Sequence, residues 1–587
     1  MPISSVHQFL TGSTDKVSRK TTLFWWNLTA IFVIGFGWLV LKEALSAEYV
    51  VQDDARQHVF WMQRFLDPQL FPNDLIADYF QSVAPAGYTA FYWIFAKLGI
   101  DPIFLHKLLP PILGAIASFY CFLLTLELFP VPLASFLSVS LLNHYLWMRD
   151  DLISATPAAF VYPLFLGFLY ALFRRQLIFT CVTLALLGLF YPQCVLIAGG
   201  ILCLQIVGFS PRGVSVNLHK PTDRVAAIGL AVTSVVILLY ALKSNDYGPV
   251  ISATEAKEFP EFWTGGKSEF FTHNREEFWF TGQRTGIVPR FGTILPIVAG
   301  GFLPLFLLLD AIDRGLRPQG DRWFSSLQKL RERGLFLLQI IISSLVLFFL
   351  SHALLFRLHL PSRYTEHTLR MVTAIAAGIA MTVLIDAAFS WAKKLRRTPI
   401  QILPLTLAAV LIGLVVLEPT WLKRFPRTEY VIGKFPELYQ FFSQQPKDIL
   451  IASVADEVNN IPSFSARSIL IGGEGYAVPY HKGYFMPIRE RSLNTIAATY
   501  TPDRDRLREF LQTYPIDFWL LEEGTFTPPY IDRDPWMMQY DIAKKAIAQL
   551  QQGIVPALAP IGDRCQVFET GRFAVLEASC LVEQLQD

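Results

Sequence analysis

Charge is scarce in this sequence. Of its 587 residues only 17% are charged, whereas 53% are hydrophobic and 14% aromatic, and the mean hydropathy is +0.39. Soluble domains carry about 25% charged residues, so the composition excludes an ordinary soluble chain and predicts a polytopic membrane protein. The net charge of +2 is also small. Because Lys and Arg occur in short clusters and form no continuous basic stripe, the sequence argues against nucleic-acid binding.

Cysteine is also scarce, and no His/Cys cluster suggests zinc. There are six cysteines. Four lie in apolar segments, where we expect inert packing residues: Cys121, Cys181, Cys194 and Cys203. Cys565 and Cys580 flank the last predicted hairpin, where a disulfide is allowed in an oxidising compartment. A two-residue turn at Thr570-Gly571 would place Cys565 opposite Leu576, so bridging requires the chain to curl back after the strand, and bonded and free states both stay open.

Long apolar runs take the place of charge. A membrane-crossing helix needs about 20 apolar residues, because unpaired backbone groups are too costly in lipid. About 11 segments qualify, and the weakest run through Pro132 and Pro192, where a helix must end or kink. The segments lie near residues 22–41, 103–129, 131–148, 156–173, 177–192, 193–209, 225–242, 293–310, 335–356, 369–391 and 401–418. We therefore predict a polytopic α-helical membrane region over residues 1–420.

The cations predict the orientation of these segments. They cluster in alternate loops, for example at Arg174 and Arg175 after the fourth segment. Short cytoplasmic loops retain Lys and Arg, so the N-terminus is predicted to be cytoplasmic. The opposite, extracytoplasmic face then contains residues 51–58, 243–292, 357–368 and everything after Pro419. The single Asn-x-Ser/Thr acceptor, at Asn27, lies inside the first segment, and we expect a bacterial inner membrane.

After Pro419 the pattern changes to short apolar runs separated by amphipathic stretches. This alternation is typical of strands and helices in a soluble α/β domain, which we predict over residues 421–587 on the extracytoplasmic side. Strands are predicted at 448–454, 467–472 and 517–523, and helices at 503–514 and 540–553. A hairpin over 565–580 would close a mixed sheet.

Two pairs of carboxylates lie in predicted outer loops. Asp53 and Asp54 stand in YVVQDDARQHVFW, directly after the first apolar segment, and Asp150 and Asp151 stand in WMRDDLISATP. Asp is a favoured N-cap residue, so helix capping explains both pairs on residue type alone. A carboxylate held at such a position is also a positioned base. Two such pairs from different loops could hold Mg²⁺ or Mn²⁺ through oxygen ligands, although nothing in the sequence requires a metal.

Further polar features lie in the same predicted outer face. The segment FRLHLPSRYTEHTLR contains Arg357, Arg363 and Tyr364, and arginine suits phosphate through its forked donors and permanent charge, although snorkelling to lipid headgroups explains a single arginine equally well. The loop 243–292 is long and rich in aromatic residues, Gly and charge, which favours a lid or an acceptor groove. Its solvent-facing candidates are Glu255, Glu258, Lys267, Arg275 and Arg284.

The layout of the whole chain resembles the GT-C superfamily of polyprenyl-phosphate-sugar glycosyltransferases. The likeness rests on one span, an outer loop that opens with the acids of VQDDARQH, many further spans and a soluble outer domain. It implies an inverting transfer of a sugar from a polyprenyl-phosphate donor to a glycan, lipid or protein acceptor at the outer face. It also implies that Asp53 or Asp54 is the base for the acceptor hydroxyl or a metal ligand.

The same resemblance assigns roles to the other polar features. It implies that Asp150 or Asp151, in the second acidic loop, lies near the site. It implies that late-loop cations, here Arg357 and Arg363 with the adjacent Tyr364, contact the lipid phosphate. The surrounding partners are membrane lipids.

Two other classes fit parts of the sequence. A secondary transporter would contain buried ionisable groups at mid-membrane and internal repeats, but Glu127, Asp310 and Asp386 lie toward the predicted cytoplasmic ends of spans and the two halves of the chain are not alike. A non-catalytic membrane anchor that displays the C-terminal domain would need neither so many spans nor paired acids. We therefore predict a membrane glycosyltransferase.

Overall fold

The computed structural model describes residues 3–210, 213–216, 221–243, 245–290, 292–316, 327–331, 333–395, 402–473, 476 and 478–586. Helices dominate the chain up to Trp421. Seven are long and apolar enough to cross a membrane, judged by length and composition: Arg19–Ala44, Pro102–Leu128, Arg224–Leu242, Leu295–Asp313, Leu335–Ala353, Arg363–Lys393 and Ile402–Trp421. The prediction of a polytopic α-helical region is confirmed.

Four shorter apolar helices account for the remaining predicted segments: Pro132–Leu146, Val161–Phe173, Leu177–Phe190 and Gln193–Ile206. Proline explains their length, because Pro132 occupies the first turn of one helix and Pro192 separates the last two. A helix of 14 residues spans only about 21 Å, less than the hydrocarbon core of about 30 Å. Each predicted segment is thus a helix, while the crossing of all eleven stays a prediction.

The connections between these helices lie on two faces. One cavity is lined by residues of the connections after the first, third, seventh and ninth helices and of the C-terminal region. They include Asp54, Asp150, Lys267, Arg363 and Tyr480. A second cavity is lined by Glu127, Arg174, Gln205 and Arg333, from ends of the other set. This grouping follows the alternation expected from the loop charges.

The connection after the first helix consists of short elements. They are a strand, Val50–Gln52, the helices Asp53–His58, Leu75–Val83 and Ala86–Lys97, and a 3₁₀ turn, Phe60–Phe65. The strand pairs in antiparallel register with Tyr430–Ile432, which ties this connection to the chain beyond the last helix. The helix Ala86–Lys97 leaves Trp93 and Ile94 exposed, as suits a helix at a membrane surface.

The remaining elements before Trp421 are short. They are the helices Ile3–Thr11, Asp150–Ile153, Pro157–Phe160, Ala253–Ala256, Pro260–Phe262, Glu277–Thr281 and Gln328–Arg331, and the hairpin of Val207–Ser210 with Gly213–Val216.

The C-terminal region contains a five-stranded mixed sheet. Its strands, in spatial order, are Ser468–Ile469, Leu450–Ser453, Phe518–Glu522, Phe573–Glu577 and Gln566–Thr570. The first three are parallel and the last two form the antiparallel hairpin that was predicted. The helices are Pro436–Gln444, Asp456–Asn460, Ile461–Phe464, Lys482–Tyr500, Arg504–Thr513, Pro528–Asp532, Pro535–Met538, Asp541–Gln551, Leu558–Gly562 and Ala578–Gln584.

The hairpin differs from prediction at its turn. Thr570 pairs with Phe573, and an irregularity in the ladder places Gln566, not Cys565, opposite Leu576. The turn therefore lies one residue later than expected. The helix Ala578–Gln584 begins directly after the last strand and brings Cys580 back, so that the two cysteines form a disulfide with Cα atoms 5.5 Å apart.

Packing joins the C-terminal region to the membrane region. One hydrophobic cluster extends from the membrane helices through the outer loops into the C-terminal helices, and a second, around Trp519, belongs to the C-terminal region alone. Tyr79 of the first outer connection stacks on Tyr484 with ring centroids 3.7 Å apart. Among the other cysteines, Cys121 and Cys194 are buried as expected, whereas Cys203 is exposed.

Candidate active site

A cavity of about 550 Å³ opens between the outer connections and the C-terminal region. It is lined by Asp53, Asp54, Gln57, Met148, Arg149, Asp150, Asp151, Gly265, Gly266, Lys267, Ser268, Gln283, Arg284, Arg290, Arg363, Glu366, Arg427, Glu429, Val478, Tyr480 and Pro535. The structure thus brings both predicted acidic pairs into a single space with three of the candidate cations, Lys267, Arg284 and Arg363.

The first acidic pair does not cap its helix. Gln52 is the N-cap residue of Asp53–His58, and its side-chain oxygen accepts hydrogen bonds from the backbone N–H of Asp54 at 2.8 Å and of Ala55 at 3.3 Å. The capping interpretation of these aspartates is therefore wrong. Asp53 forms an ion pair with Arg56. No hydrogen-bond or ion-pair partner of the Asp54 carboxylate is found in the described part of the chain.

The second acidic pair is divided in the same way. It opens the helix Asp150–Ile153, where Arg149 occupies the N-cap position and no side chain caps. Asp151 forms an ion pair with Arg370 at 2.6 Å and approaches Arg363 at 3.6 Å. The carboxylate of Asp150 has no such partner among the described residues. In each pair, therefore, one carboxylate forms an ion pair with an arginine, and the other lines the cavity without such a partner among the described residues.

The pKa values of these aspartates differ in the same way, according to whether an arginine pairs with the carboxylate. Burial, then the negative charges of Asp150 and Asp53, raise the pKa of Asp54 to about 8. Burial and the charge of Asp151 raise the pKa of Asp150. Burial alone would also raise the pKa of Asp151, but the charge of Arg370 and the cations beside it outweigh burial and hold that pKa below its usual range. An acid crowded by like charges holds its proton, while an arginine-paired acid stays ionised.

Arg370 anchors a network beneath the cavity. Its guanidinium is fully buried and donates to Asp151, to Glu366 at 2.5 Å and to the Tyr162 hydroxyl at 2.9 Å. Glu366 also pairs with Arg363 at 3.1 Å and with Arg149 at 3.3 Å. These contacts hold Arg149 and Arg363 at the cavity wall.

Part of this network could have been read from the sequence. The helix begins at Arg363, several residues before the predicted start. Residues 363, 366 and 370 therefore share one helix face. Arg149 adjoins the second acidic pair, but no local signal marked Tyr162.

The remaining predicted residues differ in whether they reach the cavity. Arg357 is exposed and does not line the cavity. Tyr364 is buried and its hydroxyl donates to the backbone carbonyl of Leu358 at 2.8 Å. In the long loop, Lys267 and Arg284 reach the cavity, whereas Glu255 pairs with Lys482 at 2.5 Å.

The long loop forms much of the cationic wall. Gly265 has a φ of +87°, and an added Cβ at Gly266 would lie 2.4 Å from the carbonyl oxygen of Pro260, so this turn requires both glycines. It places Lys267 beside the cavity. The Nε atoms of Arg149 and Arg284 are buried and have no hydrogen-bond partner within the described chain. Lys267, Arg149 and Arg284 all line the cavity, and their positive charges suit an anion.

A metal site does not follow from this arrangement. Among the described residues, no three His, Cys, Asp or Glu side chains converge as metal ligands. The binding of Mg²⁺ or Mn²⁺, which the sequence allows without requiring, therefore stays open.

No protein-family model matches the chain, and no curated protein matches it. Solved structures do. The apo oligosaccharyltransferase of Archaeoglobus fulgidus superposes with a TM-score of 0.54 at 12% identity, over 90% of this chain and 73% of that one. The chain therefore has the fold of this archaeal oligosaccharyltransferase structure. In this fold the outer connections and the C-terminal region together line the cavity.

Two further solved structures from Archaeoglobus fulgidus, both of an oligosaccharyltransferase, are also similar to the chain. One is tethered through a disulfide to an acceptor peptide with an NVT sequon, with a TM-score of 0.48, 13% identity and coverage of 88% of this chain and 72% of that one. The other, named AglB, is in complex with an inhibitory peptide and a dolichol-phosphate, with a TM-score of 0.48, 12% identity and the same two coverages of 88% and 72%.

Proposed function

We propose that this protein is a glycosyltransferase that moves a sugar from a polyprenyl-phosphate donor to an acceptor at the extracytoplasmic face of the membrane. One observation carries the proposal: within this fold, the unpaired carboxylates of Asp54 and Asp150 share a cavity with Arg149, Arg284 and Arg363. A transfer from a lipid phosphate needs both, because the nucleophile must lose a proton and the leaving phosphate gains charge.

The reaction is an inverting single displacement. The acceptor hydroxyl oxygen forms a bond to the anomeric carbon while the bond between that carbon and the phosphate oxygen breaks. The hydroxyl proton passes to the carboxylate of Asp54, and the electron pair of the broken bond leaves with the polyprenyl phosphate. Arginines at the wall offset the charge on the departing phosphate.

Asp54 is the better candidate for the base. Its carboxylate is unpaired in the described chain, whereas Asp53 is engaged by Arg56. Its raised pKa, about 8, also brings it closer to the working pH, where general-base catalysis is most effective. Asp53 then acts as a positioning residue on the same helix.

Phosphate binding is assigned to Arg363, Arg149 and Arg284. All three line the cavity, and Arg363 is oriented by its ion pair with Glu366. Arg357 and Tyr364 do not line it, so the proposal does not use them.

The proposed location is a bacterial inner membrane with a cytoplasmic N-terminus. The distribution of loop cations supports this orientation. The bond between Cys565 and Cys580 supports an oxidising compartment for the C-terminal domain. The acceptor is a glycan, lipid or protein at that face.

The test is the conservative change Asp54→Asn, assayed for sugar transfer in membranes with the native donor. Loss of base catalysis costs about a hundredfold to ten-thousandfold in rate, so we expect transfer to fall by that factor while expression stays normal. Asp74→Asn is the matched control, since Asp74 caps the helix Leu75–Val83 of the same connection and Asn caps equally well. Full transfer by Asp54→Asn would remove Asp54 from the reaction.

A further inference from the structure

A second cavity, of about 630 Å³, lies on the face opposite the candidate active site, and we call it the inner cavity. Four membrane helices end around it: Pro102–Leu128, Val161–Phe173, Gln193–Ile206 and Leu335–Ala353. Its polar lining consists of Glu127, Arg174, Arg175, Gln205, Arg333 and Gln339. It shares no residue with the candidate active site.

Positive charge in the inner cavity exceeds negative charge. Arg174 pairs with Glu127 at 3.0 Å, and Arg333 donates to the backbone carbonyl of the same Glu127. That carbonyl bond satisfies a donor of Arg333 without neutralising it. Three guanidinium groups thus face one carboxylate among the lining residues.

The helix dipole favours a cation at the positions of two of these arginines and disfavours it at the position of the third. Arg174 and Arg175 follow the C-terminus of Val161–Phe173, where a cation is favourable. Arg333 lies just before the N-cap of Leu335–Ala353, Gly334, where the helix dipole disfavours a cation. An anion bound between the three arginines would offset this cost.

The rest of the lining is apolar and reaches the outer surface of the helices. The rings of Phe173 and Phe336 pack edge to face with centroids 5.4 Å apart. Leu335 also lines the cavity and is 62% exposed, on the helix surface that a bilayer would cover. A ligand of this cavity therefore combines an anionic group with hydrocarbon.

We propose that the inner cavity binds the phosphate headgroup of an anionic membrane phospholipid, with its acyl chains along Leu335. Basic pockets between membrane helices at a cytoplasmic face suit such headgroups, and the loop cations predict that this face is cytoplasmic. The side-chain amide of Gln205 donates a hydrogen bond to the Oε1 atom of Gln339 at 2.5 Å. This pair also lines the cavity, where it can contact the glycerol portion of the phospholipid.

The test titrates the purified full chain with short-chain phosphatidylglycerol and counts bound lipid by native mass spectrometry. We expect Arg175→Gln and Arg333→Gln each to weaken binding about fivefold, since one basic residue near an anionic lipid contributes about 1 kcal/mol. Arg175→Lys and Arg333→Lys keep the charge and should retain binding. Lys20→Gln, which changes an exposed cation in the first turn of the helix Arg19–Ala44, is the matched control and should bind as the unmodified chain does.

Three outcomes would overturn the proposal. One is equal binding by the unmodified chain and the Arg175→Gln, Arg333→Gln double variant. Another is equal binding of short-chain phosphatidylcholine, which has no net negative charge. The third is competition by glycerol phosphate as strong as that by the lipid, which would show a site for a free anion. Sugar transfer is not part of the measurement, so this test is independent of the proposed function.

Discussion

The carboxylate of Asp54 sets the expected pH dependence of the protein. Its pKa is raised to about 8, and only the ionised form can accept a proton, so we expect kcat/KM to rise with pH and to level off above about 8. The largest charge effect on Asp54 comes from Asp150. Asp150→Asn removes that negative charge, which makes ionisation easier, and should move the midpoint of the profile to lower pH.

The measurement is kcat/KM over a pH series with the native donor. Asp74→Asn, at the helix N-cap outside the cavity, should leave the midpoint unchanged. A profile that stays the same in Asp150→Asn would mean that Asp150 does not act on the group that titrates, and the pairing of the two free carboxylates would lose its support.

Among the structural elements, the glycine turn of the long loop determines one wall of the cavity. Gly266→Ala would bring a Cβ within 2.6 Å of the backbone of Pro260 and Glu261, so the turn must shift and move Lys267 away from the cavity. Because uniform substrate binding affects KM more than kcat, we expect a several-fold rise in the KM for the donor. Steady-state kinetics with varied donor concentration measure it.

Gly301→Ala serves as the control for this change. An added Cβ there meets no atom within 4 Å, and alanine is the better helix former, so its kinetics should match those of the unmodified chain. Normal KM in Gly266→Ala would show that the turn tolerates the shift and that Lys267 does not contribute to donor binding.

For the molecule as a whole, the predicted boundary after residue 420 can be tested by isolating the C-terminal region. Residues 425–587, produced in an oxidising compartment, should unfold cooperatively, because the sheet has its own core around Trp519. Their thermal midpoint should lie below that of the same region in the full chain, since Tyr484 loses its stacking on Tyr79 and Tyr476 loses its bond to the Arg56 carbonyl. Circular dichroism against temperature checks both statements. Noncooperative melting would show that this region completes its core only on the membrane connections.

The sequence predicted those helices and strands well that have a long hydrophobic run or a regular hydrophobic alternation. The eleven apolar segments and the strands near 450, 468 and 518 are recognisable because hydrophobic runs and their alternation depend on neighbours in sequence. The helix Lys482–Tyr500 was missed, since it contains Pro487 and no clear apolar face. The disulfide stayed open because it depends on the helix that follows the last strand.

Composition and local spacing suffice to recognise three features: a polytopic membrane region, an α/β C-terminal region and the two acidic pairs. Which carboxylate of each pair is free depends on contacts that form in the folded chain. Asp53 and Asp151 are held by Arg56 and Arg370, and the second of these pairs joins residues more than two hundred positions apart. The charge on a carboxylate depends on what lies around it in space, and that is a property of the fold.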